Sequence, residues 1–212
     1  MPSFLRHIPT AILFLGVLCA HPEVSASGFI QSMQLHEQAM KARKAGDLPK
    51  AIQAAEAELK VVEEQMGGAS IHLGRVLPFL GELYLEAGRF DDATNAYVRA
   101  IRLRIEEVGV ASGDVASLRS RLGECRLGQA KVDEAIQLFE QAIKVYEAKG
   151  KTYDLARAST LEKLANALEG VDKKDQSNQR RKEALKIYGR SWGADDERTK
   201  AAKKRLFPDK GP

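Results

Sequence analysis

Cysteine and histidine, the residues best suited to bind a metal or activate a nucleophile, are scarce in this chain. Its 212 residues contain two cysteines and four histidines. His36 and His72 are far apart and form no His-Glu-x-x-His motif, and Cys19 and Cys125 have no metal-site spacing. A Gly-x-Ser-x-Gly elbow and a phosphate-binding glycine loop are also missing from the sequence. We therefore expect no catalytic residue, no metal and no cofactor.

The elements that carry the remaining side chains are predicted to be helices. Ala, Leu, Glu, Lys and Arg dominate a composition that is 44% hydrophobic and 29% charged, as in soluble globular proteins. These residues favour helix, and runs of β-branched residues are scarce. The net charge of +4 is mild for this length and does not by itself indicate a nucleic-acid partner.

Residues 1–26 have the pattern of a secretory signal peptide. Arg6 and His7 precede the apolar stretch 8–20, IPTAILFLGVLCA, which is short for a membrane span. Small residues at 24–26 then offer a cleavage site before Ser27. We expect an exported chain, periplasmic or secreted, although an uncleaved membrane anchor and an organellar import sequence remain alternatives. The mature chain would keep one cysteine and thus no internal disulfide.

Beyond residue 26 the sequence repeats itself every forty-two residues. Leu80, Leu122, Leu164 and Leu206 are separated by this interval, as are Gly46, Gly88 and Ala130 in predicted turns. Two alanine series have the same period: Ala51, Ala93 and Ala135, and Ala100, Ala142 and Ala184. Gly67, Gly109 and Gly193 repeat in the loops, with Lys151 in place of the third member. Several independent series at one period indicate a repeat of helical hairpins.

The second repeat carries the residues of a known pattern. Leu80-Gly81 and Tyr84 lie in its first helix, and Ala93 and Tyr97 lie in its second. These residues resemble the tetratricopeptide repeat, and the forty-two-residue period resembles the kinesin-light-chain type. Repeats one and four match the pattern less well. The resemblance covers residues 29–206.

The resemblance implies an all-α, right-handed superhelical solenoid of α-α hairpins. We expect four repeats, at about 29–70, 71–112, 113–154 and 155–194, and a capping helix at 195–206. Residues 207–212 would form a flexible tail. The last helix of repeat four is expected to end at Gly189.

The family geometry also places partner-binding residues on a concave face lined by the first helix of each hairpin. The residues expected there are Met33, His36, Met40, Arg43, Arg75, Phe79, Glu82, Glu86, Arg121, Glu124, Lys163 and Asn166. They mix apolar and charged side chains, which suits an extended or helical peptide. The resemblance therefore implies a non-catalytic scaffold or adaptor whose partner is a protein or peptide.

The basic end of the chain supports an alternative. Residues 171–212 contain thirteen Lys or Arg and seven Asp or Glu. This end could contact an anionic partner weakly, as in an envelope or membrane-surface protein, or could serve only as a solubilising end. It lacks the interleaved aromatic residues of a single-stranded nucleic-acid site.

Overall fold

Helices form nearly all of the chain that the computed structural model describes, residues 26–66 and 71–208. They are α1 (Ala26–Lys44), α2 (Leu48–Met66), α3 (Ile71–Glu86), α4 (Phe90–Val108), α5 (Gly113–Gly128), α6 (Val132–Lys149), α7 (Asp154–Gly170), α8 (Lys174–Trp192) and α9 (Glu197–Leu206). A 3-10 turn, Gly150–Tyr153, precedes α7. The predicted signal peptide up to residue 25, the loop at Gly67 and the tail from residue 209 lie outside the described residues.

The described helices form four consecutive hairpins followed by a single helix. α1 packs on α2, α3 on α4, α5 on α6 and α7 on α8, while each hairpin also contacts the next and α9 contacts α8. No strand occurs among the described residues. The prediction of an all-α hairpin solenoid is confirmed.

One backbone conformation closes all four hairpins. Gly46, Gly88, Ala130 and Asp172 are forty-two residues apart and have φ between 59° and 78°. In each turn the residue that follows donates its N–H to a carbonyl five residues earlier, at 2.8–2.9 Å. This is the Schellman motif, in which a left-handed residue ends a helix. Asp172 was missing from the predicted series because it is not a small residue.

One glycine prediction needs correction. In the loop between the third and fourth hairpins Gly150, next to Lys151, has a positive φ of 75°. Gly189 does not end α8, which continues to Trp192 and ends at Gly193 with φ of 103°. A glycine ends a helix only where the chain adopts a left-handed conformation, and the sequence does not reveal which glycine does so.

In the second and third hairpins, close approach of the two helices depends on pairing a glycine with an aromatic ring. A Cβ atom on Gly81 would lie 2.9 Å from the ring of Tyr97, and one on Gly123 would lie 2.6 Å from the ring of Phe139. Both rings are fully buried. The equivalent positions hold Ala39 with Ala55 in the first hairpin, and Ala165 with Arg181 in the fourth.

The last helix, α9, covers the end of the array. Its side chains Ala202 and Leu206 are buried in the cluster formed by α6, α7 and α8. Its outer side carries exposed Lys200, Lys203 and Lys204. Asp196 caps the helix by accepting the backbone N–H of Arg198 at 2.8 Å. Among the described residues, no helix is long and apolar enough to cross a membrane.

The glycine–aromatic pairing can be tested by adding one methyl group. We expect Gly123→Ala to lower the free energy of unfolding by about 2 kcal/mol, because the new Cβ would overlap the ring of Phe139. Gly189→Ala is the matched control, since Gly189 also lies inside a helix, α8, and no atom lies within 4 Å of the position of the added Cβ. It should raise that free energy by about 1 kcal/mol through helix propensity. Urea unfolding followed by circular dichroism measures both, and equal effects would contradict the pairing.

Candidate interaction surface

The residues predicted to line a concave face all lie on the first helices of the hairpins. Met33, His36, Met40 and Arg43 are on α1; Arg75, Phe79, Glu82 and Glu86 on α3; Arg121 and Glu124 on α5; Lys163 and Asn166 on α7. Their contacts divide them into three groups. These are a series of ion pairs, a buried polar cluster and an apolar face on α1.

The ion pairs connect all four first helices. Arg43 on α1 pairs with Glu86 and, at 3.3 Å, with Glu82 on α3. Arg121 on α5 lies 3.7 Å from Glu82 and 3.5 Å from Glu124. Glu124 in turn pairs with Lys163 on α7. We call these six residues the charge ladder.

The charge ladder follows the repeat. Glu82 with Arg121 and Glu124 with Lys163 are the same pair of positions, displaced by forty-two residues. The next acidic position holds Asn166, whose side-chain oxygen accepts a hydrogen bond from Arg181 at 3.4 Å. The series of carboxylates therefore stops at α7.

The ladder is balanced in charge and partly open to water. It contains three basic and three acidic side chains, with exposures between 25% and 42%. Each such pair contributes at most about 1 kcal/mol to stability, because water screens it. The hydrogen bond that Arg43 donates to the carboxylate of Glu86 raises the pKa of Arg43 above its ordinary value. A partner can therefore exchange its own charges for these pairs at little cost.

Phe79 is less available to a partner than the sequence suggested. Its side chain is buried, with 9% exposed. The imidazole of His36 lies 4.9 Å from its ring centroid and the guanidinium of Arg43 lies 5.7 Å from it. Phe79 thus orients the side chain that begins the charge ladder.

The apolar face of α1 consists of Phe29, Ile30, Met33 and Met40. These four side chains are between 44% and 56% exposed. A shallow groove of about 600 Å³ runs along them, lined also by Gln34, His36 and Glu37. The two methionines were among the residues predicted from the sequence, and Phe29 and Ile30 were not.

A buried carboxylate joins the first and second hairpins. Glu58 on α2 is fully buried. It accepts hydrogen bonds from Ser32 at 3.2 Å and from Arg75, while Nδ1 of His36 lies 3.0 Å from its other oxygen. Burial of a carboxylate requires such partners, because desolvation disfavours an isolated charge. His36 and Arg75 therefore serve this junction as well as the surface.

The sequence contained a signal for Glu58 that was overlooked. The buried series Ala100, Ala142 and Ala184 extends back by forty-two residues to position 58. A glutamate where the other repeats have alanine indicates a polar contact specific to this junction. Likewise, Arg75 stands where the later repeats have Ser117 and Ser159.

Cys125 lies on the side of α5 that packs into the core. Its side chain is fully buried, and this burial raises the pKa of its thiol to about 11. Over residues 26–66 and 71–208, no three His, Cys, Asp or Glu side chains are placed to hold a metal ion.

Comparison with known families decides the class of repeat. Two models of the tetratricopeptide repeat match, one over residues 114–190 and one over residues 77–108. Together they cover slightly more than half of the 212 residues. The chain is a tetratricopeptide-repeat protein. This confirms the predicted family, and the first hairpin, with its weaker pattern, lies outside both matches.

Solved structures of tetratricopeptide-repeat proteins share the fold. A kinesin light chain of Podosopora anserina with nearly identical TPR-like repeats is 14% identical, with a TM-score of 0.70 over 84% of this chain and 86% of that one. BtubC (BKLC) from P. vanneervenii is 20% identical, with a TM-score of 0.67 over 76% and 62% of the two chains. MamA is 18% identical, with a TM-score of 0.55 over 84% and 81%. The likeness supports the predicted kinesin-light-chain type of repeat.

A search of the curated proteins by sequence finds no match. At identities of 14% to 20%, the structural likeness establishes the tetratricopeptide fold alone. What this tetratricopeptide-repeat protein binds must therefore be argued from its own surface.

The buried cluster at Glu58 gives a test by double-mutant cycle. We expect Arg75→Ser to cost about 3 kcal/mol of unfolding free energy, because it removes a main partner of a fully buried carboxylate. Glu58→Ala should cost less, since the Arg75 side chain is 35% exposed and can turn toward water.

The double variant supplies the residues that the later junctions already have. Ala100 and Ser117 occupy these positions one repeat on. Glu58→Ala with Arg75→Ser should therefore be closer in stability to the wild type than Arg75→Ser alone. Additive losses in urea unfolding would show that the two residues do not depend on each other.

Proposed function

We propose that this tetratricopeptide-repeat protein is an exported, non-catalytic scaffold that binds a protein or peptide along α1, α3, α5 and α7. Tetratricopeptide repeats form interaction surfaces, which supports the general role. The observation that carries the proposal is the charge ladder, which connects these four helices through partly exposed ion pairs. Export rests on the pattern of residues 1–26.

The chemistry of this surface favours a peptide of mixed character. Its α1 end offers half-exposed Met33 and Met40, and the rest offers alternating positive and negative groups. A peptide with apolar side chains at one end and both signs of charge along the rest would match it. A polyanion would gain only the three basic groups and would face three carboxylates.

The alternative, binding of anions by the basic C-terminal region, receives less support. Arg205 donates two hydrogen bonds to Glu162, at 2.9 and 2.7 Å. Arg181 donates one hydrogen bond to Glu169. Among the described residues of this region, several exposed basic side chains have no ion pair: Lys173, Lys182, Lys186, Arg190, Lys203 and Lys204. Lys203 and Lys204 are the adjacent pair among them.

Peptide selection on the purified chain tests the binding surface. We expect a random peptide library displayed on phage to yield a peptide that binds the full chain. Its dissociation constant, measured by fluorescence anisotropy, should rise at least tenfold on Arg121→Ala with Lys163→Ala, which removes two ladder cations. Lys203→Ala with Lys204→Ala removes the same charge elsewhere and should change it less than twofold. A larger rise in the dissociation constant for the Lys203 and Lys204 variant would favour the anion-binding alternative. A dissociation constant that neither double variant changes would contradict both proposals.

Export is tested by the fate of residues 1–26. In a bacterial host, the full chain should accumulate in the periplasm as a product that begins at Ser27, as read by intact-mass spectrometry. Leu13→Arg with Leu15→Arg interrupts the apolar stretch and should leave the chain in the cytoplasm, starting at Met1. A wild-type chain that stays in the cytoplasm uncut would overturn the export proposal and leave the binding proposal untouched.

A further inference from the structure

The apolar face of α1 has the spacing of a helix-pairing stripe. Phe29, Met33, His36 and Met40 follow one another at intervals of four, three and four residues. This alternation keeps side chains on one side of a helix and is the spacing of a and d positions in coiled coils. Three of the four are 44% to 48% exposed, so the stripe faces solvent over most of its length.

We propose that two copies of this chain associate through their α1 helices, packed antiparallel about a two-fold axis. The contact uses Met33 and Met40, which also form the apolar end of the proposed peptide site, so a second copy and a peptide compete for these two side chains. The occupant of the groove along α1 is then the same apolar face of a second copy.

Electrostatics permits identical faces to meet. A two-fold contact brings the same groups of both copies together, so an unpaired charge there would be repelled by the same charge of the other copy. Lys41 pairs with Glu37 at 2.6 Å, and Arg43 pairs with Glu82 and Glu86. Lys41 and Arg43 are thus neutralised within each copy, whereas the exposed Lys44 has no ion pair among the described residues.

The charge distribution along α1 decides the orientation. Residues 26–35 carry no charged side chain, whereas the last turn carries Lys41, Arg43 and Lys44. A parallel pair would place the unpaired Lys44 side chains of the two copies side by side. In the full chain, an antiparallel pair sets each Lys44 against a start of the other helix that carries no charged side chain, and it opposes the two helix dipoles.

The other end of the array is unsuited to self-association. The outer side of α9 carries exposed Lys203 and Lys204, for which the described residues provide no ion pair. Two such ends would repel each other, and an α9 end would bring no apolar side chains to α1. The contact therefore closes as a dimer and does not extend into a filament.

The size of the apolar face indicates a weak dimer. A half-exposed side chain of this size offers on the order of 100 Å² of surface. Four of them give roughly 400 Å² per copy, about half of the area in a standard interface. We therefore expect a dissociation constant between about 10 µM and 1 mM.

Dimer formation would cover Met33 and Met40 and make the scaffold bivalent for the charged part of the peptide site alone. The contact uses α1 and leaves Arg121, Glu124 and Lys163 of each charge ladder uncovered. A partner with two binding segments would then engage both copies and be held by avidity. This consequence, unlike the dimer itself, rests on the proposed function.

Sedimentation equilibrium of the full chain tests the dimer. Between about 5 µM and 1 mM, the average mass should rise from the monomer value of 23.3 kDa toward twice that value. Met33→Glu with Met40→Glu places like charges in the contact and should keep the chain monomeric throughout. Leu155→Glu is the matched control, an equally exposed apolar residue on α7, and should associate as the wild type does.

Cysteine cross-linking tests the orientation. Met33 and Met40 are one heptad apart on α1, with Met33 near the centre of the stripe and Met40 at its end. In a chain carrying Cys19→Ser, Met33→Cys should form a disulfide-linked dimer under mild oxidation and Met40→Cys should not. In an antiparallel pair centred on the stripe, the two positions 33 are roughly 5 Å apart along the axis and the two positions 40 roughly 17 Å.

Several results would overturn the proposal. These are a wild-type chain that stays monomeric over the whole range, a dimer that survives Met33→Glu with Met40→Glu, and a dimer that Leu155→Glu also abolishes. Cross-linking of both cysteine variants would overturn the antiparallel arrangement. A wild-type chain that stays monomeric but binds its selected peptide would contradict the dimer and leave the proposed function intact. A chain that dimerises but binds no peptide would contradict the proposed function and leave the dimer intact.

Discussion

The fold depends on how closely the two helices of a hairpin can approach. In the second and third hairpins that distance is set by a glycine on one helix and an aromatic ring on the other, Gly81 with Tyr97 and Gly123 with Phe139. The absence of a Cβ leaves room for the ring, and the ring fills the space that the glycine leaves. Because one hairpin cannot bury its apolar surface alone, hairpins of matched geometry must stack. The end hairpins use other residues at these positions and match the family pattern less well.

The same period that repeats the core also repeats the surface. Positions forty-two residues apart face the same environment, so an acid–base pair across one junction recurs across the next, as Glu82 with Arg121 and Glu124 with Lys163 show. A charge ladder can therefore arise from a repeat without separate placement of each residue. A residue that departs from the period then marks a contact that the other repeats do not make. Glu58, which stands in an alanine series, is the clearest example.

Helix α1 has three roles at once, which α3, α5 and α7 do not combine. On one side His36 contacts the buried Glu58, on another Arg43 begins the charge ladder, and on the third the apolar face meets solvent. In α3, α5 and α7 a preceding hairpin covers part of the surface. Since no hairpin in the described chain precedes α1, this helix has surface left for contacts outside the solenoid.

The sequence by itself determined the helical hairpins, their period and their family, because helix propensity, apolar spacing and turn residues act over short distances. It also predicted which helices carry the candidate surface. It did not determine which predicted residues remain available, because burial depends on neighbours about forty residues away. Phe79 is covered by α1, and the charged groups of α3, α5 and α7 are paired with one another. Only the tertiary structure decided these pairings, since they form across helices whose separation is set by packing in the core.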